Sequence, residues 1–600
     1  MKALLALLTL AAAGLVTLTA VGLAHGHDGH GQSGNRHGTV LPGTPLDTAR
    51  GTVFLDRNGN GLLDRGEPGI PGVSVSNGLD VVQTDRRGRY GIALPPESIL
   101  FISKPAEYEV PVDENNLPQF YYTHYPAGSP PVAEWLFPVI EPTGPLPESV
   151  DFPLLPGRRV REFKVMGFAD TQAGTDEEED GIREDIVAPI VNNPYGAAFG
   201  FVAGDVVNDN LALFPRHNEI MGKIGIPIWN VPGNHDTNEE SPSDRYATQT
   251  YSRYYGPTDF SFNHGEIHFI GADNIDNGDV DRPSQGCVLN QRQLEWLRND
   301  LRSVPRNKLI VLVTHCPLIT YALDSNGERY ALGGNINTIN LAEIVEILKP
   351  FPRVYAIAGH DTSNSWKVEL NHTHDWHGEW FLSHTLAEVR GNGWSTGPRT
   401  ERDTRTVNMQ DGNPNGYYVM TFAGTRVQPK FIPGKGDPNR SMRIVLDPLP
   451  LGTRDPATGK VLAINRGPLA PDTKLIVNLF DGGDQDTVQL SLDGGPWTKL
   501  ANVLRNDPFQ DRQFLQYQGT EDAVGRPEPS SHIWELPLPA DLAAGVHTVE
   551  VVTRDNFGQR AADSFSFEVL AATPAEMSSL LSERAQEPVM PTDRPPFIPD

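Results

Sequence analysis

Several short apolar runs in the middle of this chain end on residues that bind cations. One closes on Asp170-Thr171-Gln172, the next on Gly204-Asp205, and the next on Gly233-Asn234-His235-Asp236. Two later runs close on Thr314-His315 and Gly359-His360. Asp, Asn and His together, without cysteine, suit Mn²⁺, Fe, Zn²⁺ or Mg²⁺. A lone histidine after a strand would mean little; a series of such ends matters if the strands deliver them to one place. A second set of oxygen donors lies earlier. Asp56-Arg57-Asn58-Gly59-Asn60-Gly61-Leu62-Leu63-Asp64-Arg65-Gly66-Glu67 meets every specified position of the calcium-loop pattern D-x-[DN]-x-[DN]-G-x₅-E. There Asp56, Asn58 and Asn60 would offer side-chain oxygens, Leu62 its carbonyl, Asp64 a direct or water-bridged contact, and Glu67 both carboxylate oxygens.

The elements that must position these groups can be read from the same runs. Phe163–Ala169, Ala198–Ala203, Pro227–Val231, Ile267–Ala272, Lys308–Thr314 and Arg353–Ala358 are apolar stretches of buried-strand length. Helical patterns separate several of them, carried by Ile182, Ile186 and Ile190, and by Leu294 and Leu297. Alternating strands and helices predict an α/β layered domain over 157–378, in which polar strand ends converge at the carboxyl edge. Residues 48–141 carry short strand-like runs and turns, predicting a small antiparallel sandwich. The calcium-loop pattern sits between those strands and resembles the loops of β-sandwich stalk domains on bacterial surface proteins. Pro142–Pro156 reads as a linker, 379–570 as a second β domain, and 571–600 as a Pro-rich tail.

The order of the polar strand ends resembles the calcineurin-like metallophosphoesterases: Asp-x-His or Asp-x-Gln, Gly-Asp, Gly-Asn-His-Asp, a histidine, then Gly-His-x-His. The likeness covers Glu162 to about Thr362. Gly391–Gly397, Asp411-Gly412-Asn413-Pro414-Asn415-Gly416-Tyr417 and Met442-Arg443-Ile444 resemble the β domain that follows the catalytic domain in a secreted bacterial subgroup. The resemblance implies a four-layer α/β/β/α core flanked by β-sandwich-like domains, and a metal-dependent phosphoric ester hydrolase. It implies that Asp205 bridges two cations. Asn234, His315 and His360 would complete the second cation, with Asp170 and Gln172 on the first. It further implies that His235 protonates the leaving oxygen and Asp236 orients it. Two cations roughly 3.5–4 Å apart would activate a water and neutralise phosphoryl oxygens during in-line attack.

The chain departs from the family pattern at Gln172, where histidine is commoner, and at Thr362, where the pattern has its last histidine. The second departure removes an imidazole from the first cation. Asp361, or one of His372, His374, His377 and His384, stands near enough in sequence to be considered as a replacement. An oxygen-rich first site would favour Mn²⁺, Mg²⁺ or Ca²⁺. Thr362 also keeps open a rival reading, a catalytically degenerate surface protein that binds a phosphorylated glycan or a metal ion. Asn208 and Asp209 are read as substrate-facing or as helix caps, Trp394 as ligand-stacking or core, and His264 and His268 as structural. Gly393-Trp394-Ser395-Thr396-Gly397 spells a hydrolase elbow but lacks the strand and helix that motif requires.

Lys2 followed by the apolar run Ala3–Ala24 reads as a signal peptide, 1–24. That reading places the mature chain in the periplasm or outside the cell, with no membrane span after cleavage. His25, His27, His30 and His37 punctuate a polar linker, 25–47, suited to flexible connection or transient metal contact. The 600 residues carry 49 basic and 76 acidic side chains, a net charge of −27. Such a balance excludes nucleic acid as a default partner, and the family resemblance implies a small phosphate ester or glycan instead. Two cysteines, Cys287 and Cys316, rule out a disulfide scaffold. They are free to pair in an oxidising compartment, and Cys316 reads as a small buried apolar residue.

Overall fold

The computed structural model describes residues 47–323, 329–400, 404–448, 463–465, 472–569 and 582. The expected signal peptide, the histidine-rich linker up to residue 46 and, apart from Ser582, the Pro-rich tail lie outside them.

Two sheets face each other in the middle of the chain. The first has the order Ile228–Val231, Ala197–Ala203, Glu162–Phe168, Gly416–Ala423, Arg426–Pro433. Its first three strands are parallel and the last two antiparallel. The second has the order Phe260–His264, Ile267–Gly271, Leu309–Val313, Arg353–Ala358, Trp380–Thr385, Trp366–Leu370, parallel except at its two edges. These strands are near-continuous apolar runs because both of their faces are covered. Between the sheets lies an aromatic layer in which Trp229 stacks on Phe262 with centroids 4.1 Å apart. Phe199 meets Phe262 and Phe269 edge-on in the same layer.

Outside the first sheet pack Ile182, Ile186, Ile190, Phe214 and Met221. Outside the second pack Leu294, Leu297 and Leu301 of the helix Gln291–Leu301, with Ile344, Val345 and Leu348 of Leu341–Leu348. The result is an α/β/β/α core. The stretch carrying Ile182, Ile186 and Ile190 is not one helix. It runs as Asp176–Ile182, a wide π turn over Arg183–Val187, and a tight 3₁₀ turn over Ala188–Ile190. Pro189, which has no N–H to donate, falls in that last turn.

Two expected boundaries do not match the topology. Residue 378 was to end the α/β domain, yet Trp380–Thr385 lies inside the second sheet and Gly416–Pro433 completes the first. The presumed linker Pro142–Pro156 includes a strand, Phe152–Pro156, which pairs in parallel with Thr48–Leu55 in the N-terminal sandwich. That strand lies between Thr48–Leu55 and Tyr108–Glu109, and its Phe152 and Leu154 alternate into the core. That sandwich has two four-stranded sheets, and it abuts the α/β core where Phe101 meets Trp296 and Phe120 meets Trp229.

The C-terminal part is a second sandwich, with Leu475, Val477, Val549, Val551 and Phe567 in its core. Its joint to the α/β core is polar. Asp411 accepts from His532 Nε2 at 2.9 Å and from the Ser365 amide at 2.9 Å. Asp481 accepts from Lys367 Nζ at 2.8 Å, His384 Nε2 at 2.9 Å and the Tyr418 hydroxyl at 2.8 Å.

Candidate functional site

The carboxyl ends of the strands meet above the seam between the two sheets. The chain must turn sharply at each end, and it does so in the left-handed region at Asp170 (φ 51°), Gln172 (φ 42°), Asp205 (φ 48°) and His360 (φ 68°). None of these is glycine, so each turn stores strain that the surrounding structure must hold. Glycine stands where neighbours crowd in. A Cβ on Gly204 would sit 2.3 Å from His315 Nδ1, and one on Gly233 would sit 2.0 Å from Asp205 Oδ1.

The second predicted cation site is closely drawn together. Buried His315 donates Nδ1–H to the Ala203 carbonyl at 3.0 Å, which leaves Nε2 without a proton. His360 donates Nε2–H to the Asn335 carbonyl at 2.7 Å, which leaves Nδ1 bare. Those two bare nitrogens lie 3.0 Å apart. Asp205 Oδ1 is 3.2 Å and Asn234 Oδ1 is 3.1 Å from His315 Nε2. Electron pairs therefore converge with no proton assigned between them, the environment a cation requires. Burial pulls His360 down to about 4, so it stays neutral and able to ligate.

Around the first predicted cation, fully buried Asp170 accepts the His360 amide on both oxygens at 3.1 Å. Gln172 donates its amide to Asn208 at 3.3 Å, while its Oε1 is buried without a hydrogen-bond partner. An orphaned buried oxygen on the turn that carries Asp170 fits a cation ligand. Burial raises Asp170, with Glu388 and Asp205 adding to the rise. The candidate replacements for the missing imidazole are engaged elsewhere. His384 bonds Tyr355 and Asp481, His377 bonds Asp375, and His372 and His374 lie on a turn with Asn371. Asp361 accepts from the Ser363 hydroxyl and amide through Oδ1, leaving Oδ2 buried and unpartnered.

His235 Nε2 stands 4.0 Å from Asp205 Oδ2, at the rim of the cluster. Burial would lower its pKa, but Asp205 and Asp209 outweigh that and raise it to about 9. Its orienting carboxylate is Asp209, whose Oδ1 accepts Nδ1–H at 2.7 Å. The expected role of Asp236 is thereby corrected. Its carboxylate accepts the amides of Val206 and Val207 at 3.0 Å and of Gly233 at 2.9 Å, and it does not meet the imidazole. Asp236 ties the loop after Asp205 to the loop bearing Asn234, so it positions ligands rather than the proton donor.

Trp394 serves the core. It donates to the Thr171 carbonyl at 2.7 Å, bracing the turn between Asp170 and Gln172. His268 pairs with Asp300 and His264 packs edge-on against Phe163, both away from the cluster. Cys287 and Cys316 form a disulfide. The calcium-loop residues form a separate turn in the N-terminal sandwich. Asp56 accepts the amides of Gly59 and Gly61, Glu67 those of Arg57 and Asp64, and Asp64 accepts the side-chain amides of Asn58 and Asn60. Leu62 donates its amide to Asn60.

Three contributors escaped the motif reading. The Asn335 carbonyl is backbone and leaves no trace in residue type. Glu388 and Arg390 come from a return of the chain more than two hundred residues after Asp170, and only their charge within an otherwise apolar run marks them.

Comparison with known proteins gives three ordered matches. Residues 57–136 match the N-terminal domain of calcineurin-like phosphoesterases, 163–364 the calcineurin-like phosphoesterase domain itself, and 384–560 the C-terminal domain. No curated protein matches the chain. Among solved structures, purple acid phosphatase PPD1 from yellow lupin (Lupinus luteus) seeds is similar at 11% identity, covering 61% of this chain and 67% of that one, with a TM-score of 0.33.

Proposed function

The chain belongs to the calcineurin-like phosphoesterase family and is a metal-dependent phosphoric ester hydrolase, and we propose that it is an exported enzyme in which His235 is the general acid. The observation that carries this mechanism is the meeting of two carbonyl-fixed imidazoles, with bare nitrogens 3.0 Å apart, beside Asp205 and Asn234. Bound divalent cations would supply charge for the phosphoryl oxygens and acidify an attacking water. Asp205, Asn234, His315 and His360 would hold one, and Asp170, Gln172 and Asp205 the other. His235, kept protonated by Asp209, faces that cluster and can pass its Nε2 proton to a departing alkoxide. The net charge of −27 leaves phosphate recognition to the pocket rather than to the outer surface. Export is supported by the apolar run after Lys2 and by the Cys287–Cys316 disulfide, since disulfides persist in oxidising compartments.

The test is hydrolysis of an alkyl phosphate, a nitrophenyl phosphate and a nitrophenyl diester with Mn²⁺ added. Asp205→Asn should abolish turnover of all three. His235→Ala should cost about 10²–10⁴-fold on the alkyl ester, whose leaving oxygen needs a proton, and much less on the nitrophenyl esters. Equal losses on every substrate would remove His235 from the acid role. No turnover by the unaltered chain under any cation would favour the binding-protein reading.

A further inference from the structure

We infer that Glu388 is a ligand of the first cation, taking the place that Thr362 leaves without an imidazole. The inference rests on the two-cation reading above. It begins with position. The segment after Trp380–Thr385 crosses between the two sheets at their carboxyl ends: the Leu386 amide bonds the Ala358 carbonyl at 2.8 Å, Val389 bonds Ala169 at 2.9 Å, and Arg390 bonds Asp170 at 3.1 Å. Glu388 therefore stands between the strand end that carries His360 and the one that carries Asp170.

Its side chain is fully buried, and one carboxylate oxygen, Oε1, has no hydrogen-bond partner. The other receives a long contact from Arg390 Nε at 3.4 Å. Gln172, two residues past Asp170, likewise has a buried Oε1 with no hydrogen-bond partner. Among the charges around Asp170, Glu388 is the strongest, ahead of Asp205 and Arg390, and Glu388 in turn feels Asp361 and Asp205. Asp170 and Glu388, both fully buried, thus share the guanidinium of Arg390, and buried carboxylates call for a further positive charge. Two buried oxygens that no donor reaches, one on the turn after Asp170 and one on the segment bonded to Asp170, supply donors suited to a hard cation. Asp361 also keeps a buried, unpartnered oxygen, Oδ2, but its Oδ1 is held by Ser363, whereas the segment of Glu388 bonds Asp170 itself.

The donor chemistry then follows. Asp170, Gln172, Asp205 and Glu388 offer oxygen only, whereas the second site offers two imidazoles. The first site should prefer Mn²⁺ or Mg²⁺ and the second should accept Zn²⁺.

The full chain, stripped with chelator and reloaded with Mn²⁺, is assayed by elemental analysis and by manganese electron paramagnetic resonance. The unaltered chain should hold two ions with an exchange-coupled spectrum, and Glu388→Gln should hold one with the spectrum of an isolated ion. Adding Thr362→His to Glu388→Gln should restore the second ion and admit Zn²⁺ there. If Glu388→Gln does not fold, Thr362→His alone is read for gained Zn²⁺ at the first site. Two coupled ions in Glu388→Gln, or Thr362→His without change of metal preference, would overturn the assignment of Glu388 alone. An unaltered chain that takes up no ion would overturn the two-cation reading with it.

Discussion

The imidazole of His235 is gripped on its far nitrogen by Asp209 and faces Asp205 with the near one. The sign of the resulting pH effect can be worked out. Burial alone would favour the neutral ring; the two carboxylates favour the charged one and carry its pKa to about 9. A general acid works in its protonated form, so activity falls as pH rises and the His235 ring loses its proton. Asp209→Asn removes one of the two carboxylates and should move the alkaline limb of kcat/KM to lower pH, which a pH–rate profile on an alkyl phosphate will measure. An unmoved limb would mean that Asp209 has no part in the proton transfer. Asp170, Asp205, Asn234, His315 and His360 were legible as candidates because residue type and spacing repeat strand after strand. Asp209 and Asp236 were not assigned correctly because both are acids near His235 in the chain. Only the left-handed turn at Asp209 (φ 60°) and the three amides facing Asp236 decide which one meets the ring.

The loops that carry His315 and screen His360 are joined covalently. Cys316 follows His315, and Cys287 is woven into the 333–339 loop, donating its amide to Gly334 and accepting that of Ile339. The same loop supplies the Asn335 carbonyl that sets the tautomer of His360. The disulfide thus couples two walls of the proposed second cation site. Replacing both cysteines by serine should cost about 2–4 kcal/mol in denaturant unfolding, as expected for a closed loop with a separation of 29 residues. It should also speed loss of the second ion to a chelator. Equal chelation rates with and without the bond would confine it to a stabilising part. The central strands were readable as unbroken apolar runs, within a residue or two of their bounds. Phe152–Pro156 was hidden by its prolines, and the broken helix before Val191 by an isoleucine spacing that persists through three kinds of turn.

The α/β core and the C-terminal sandwich share buried charge. Lys367 and Asp481 pair across the joint with both side chains 6% exposed, and His384 and Tyr418 close the network. Burial opposes the charge on Asp481, while Lys367 and His384 hold its pKa low. Asp481→Asn would strand the lysine and should cost about 3–5 kcal/mol, seen as a lower Tm with the C-terminal sandwich loosening first in hydrogen exchange. A variant with unaltered melting would show that the pair contributes little. The three-part layout was visible in the changing rhythm of the chain, but its seams were not, because strands that complete the central sheets come from beyond the apparent end of the α/β pattern. Gly416–Pro433 lies on the far side of the stretch that bears Glu388, and it seals the first sheet next to Glu162–Phe168. A ribosome must therefore have released residue 433 from its exit tunnel before the pocket can close, so every shorter nascent polypeptide is born inert. A gene fragment cut at the end of the Gly-His motif would yield the liganding side chains without the enzyme.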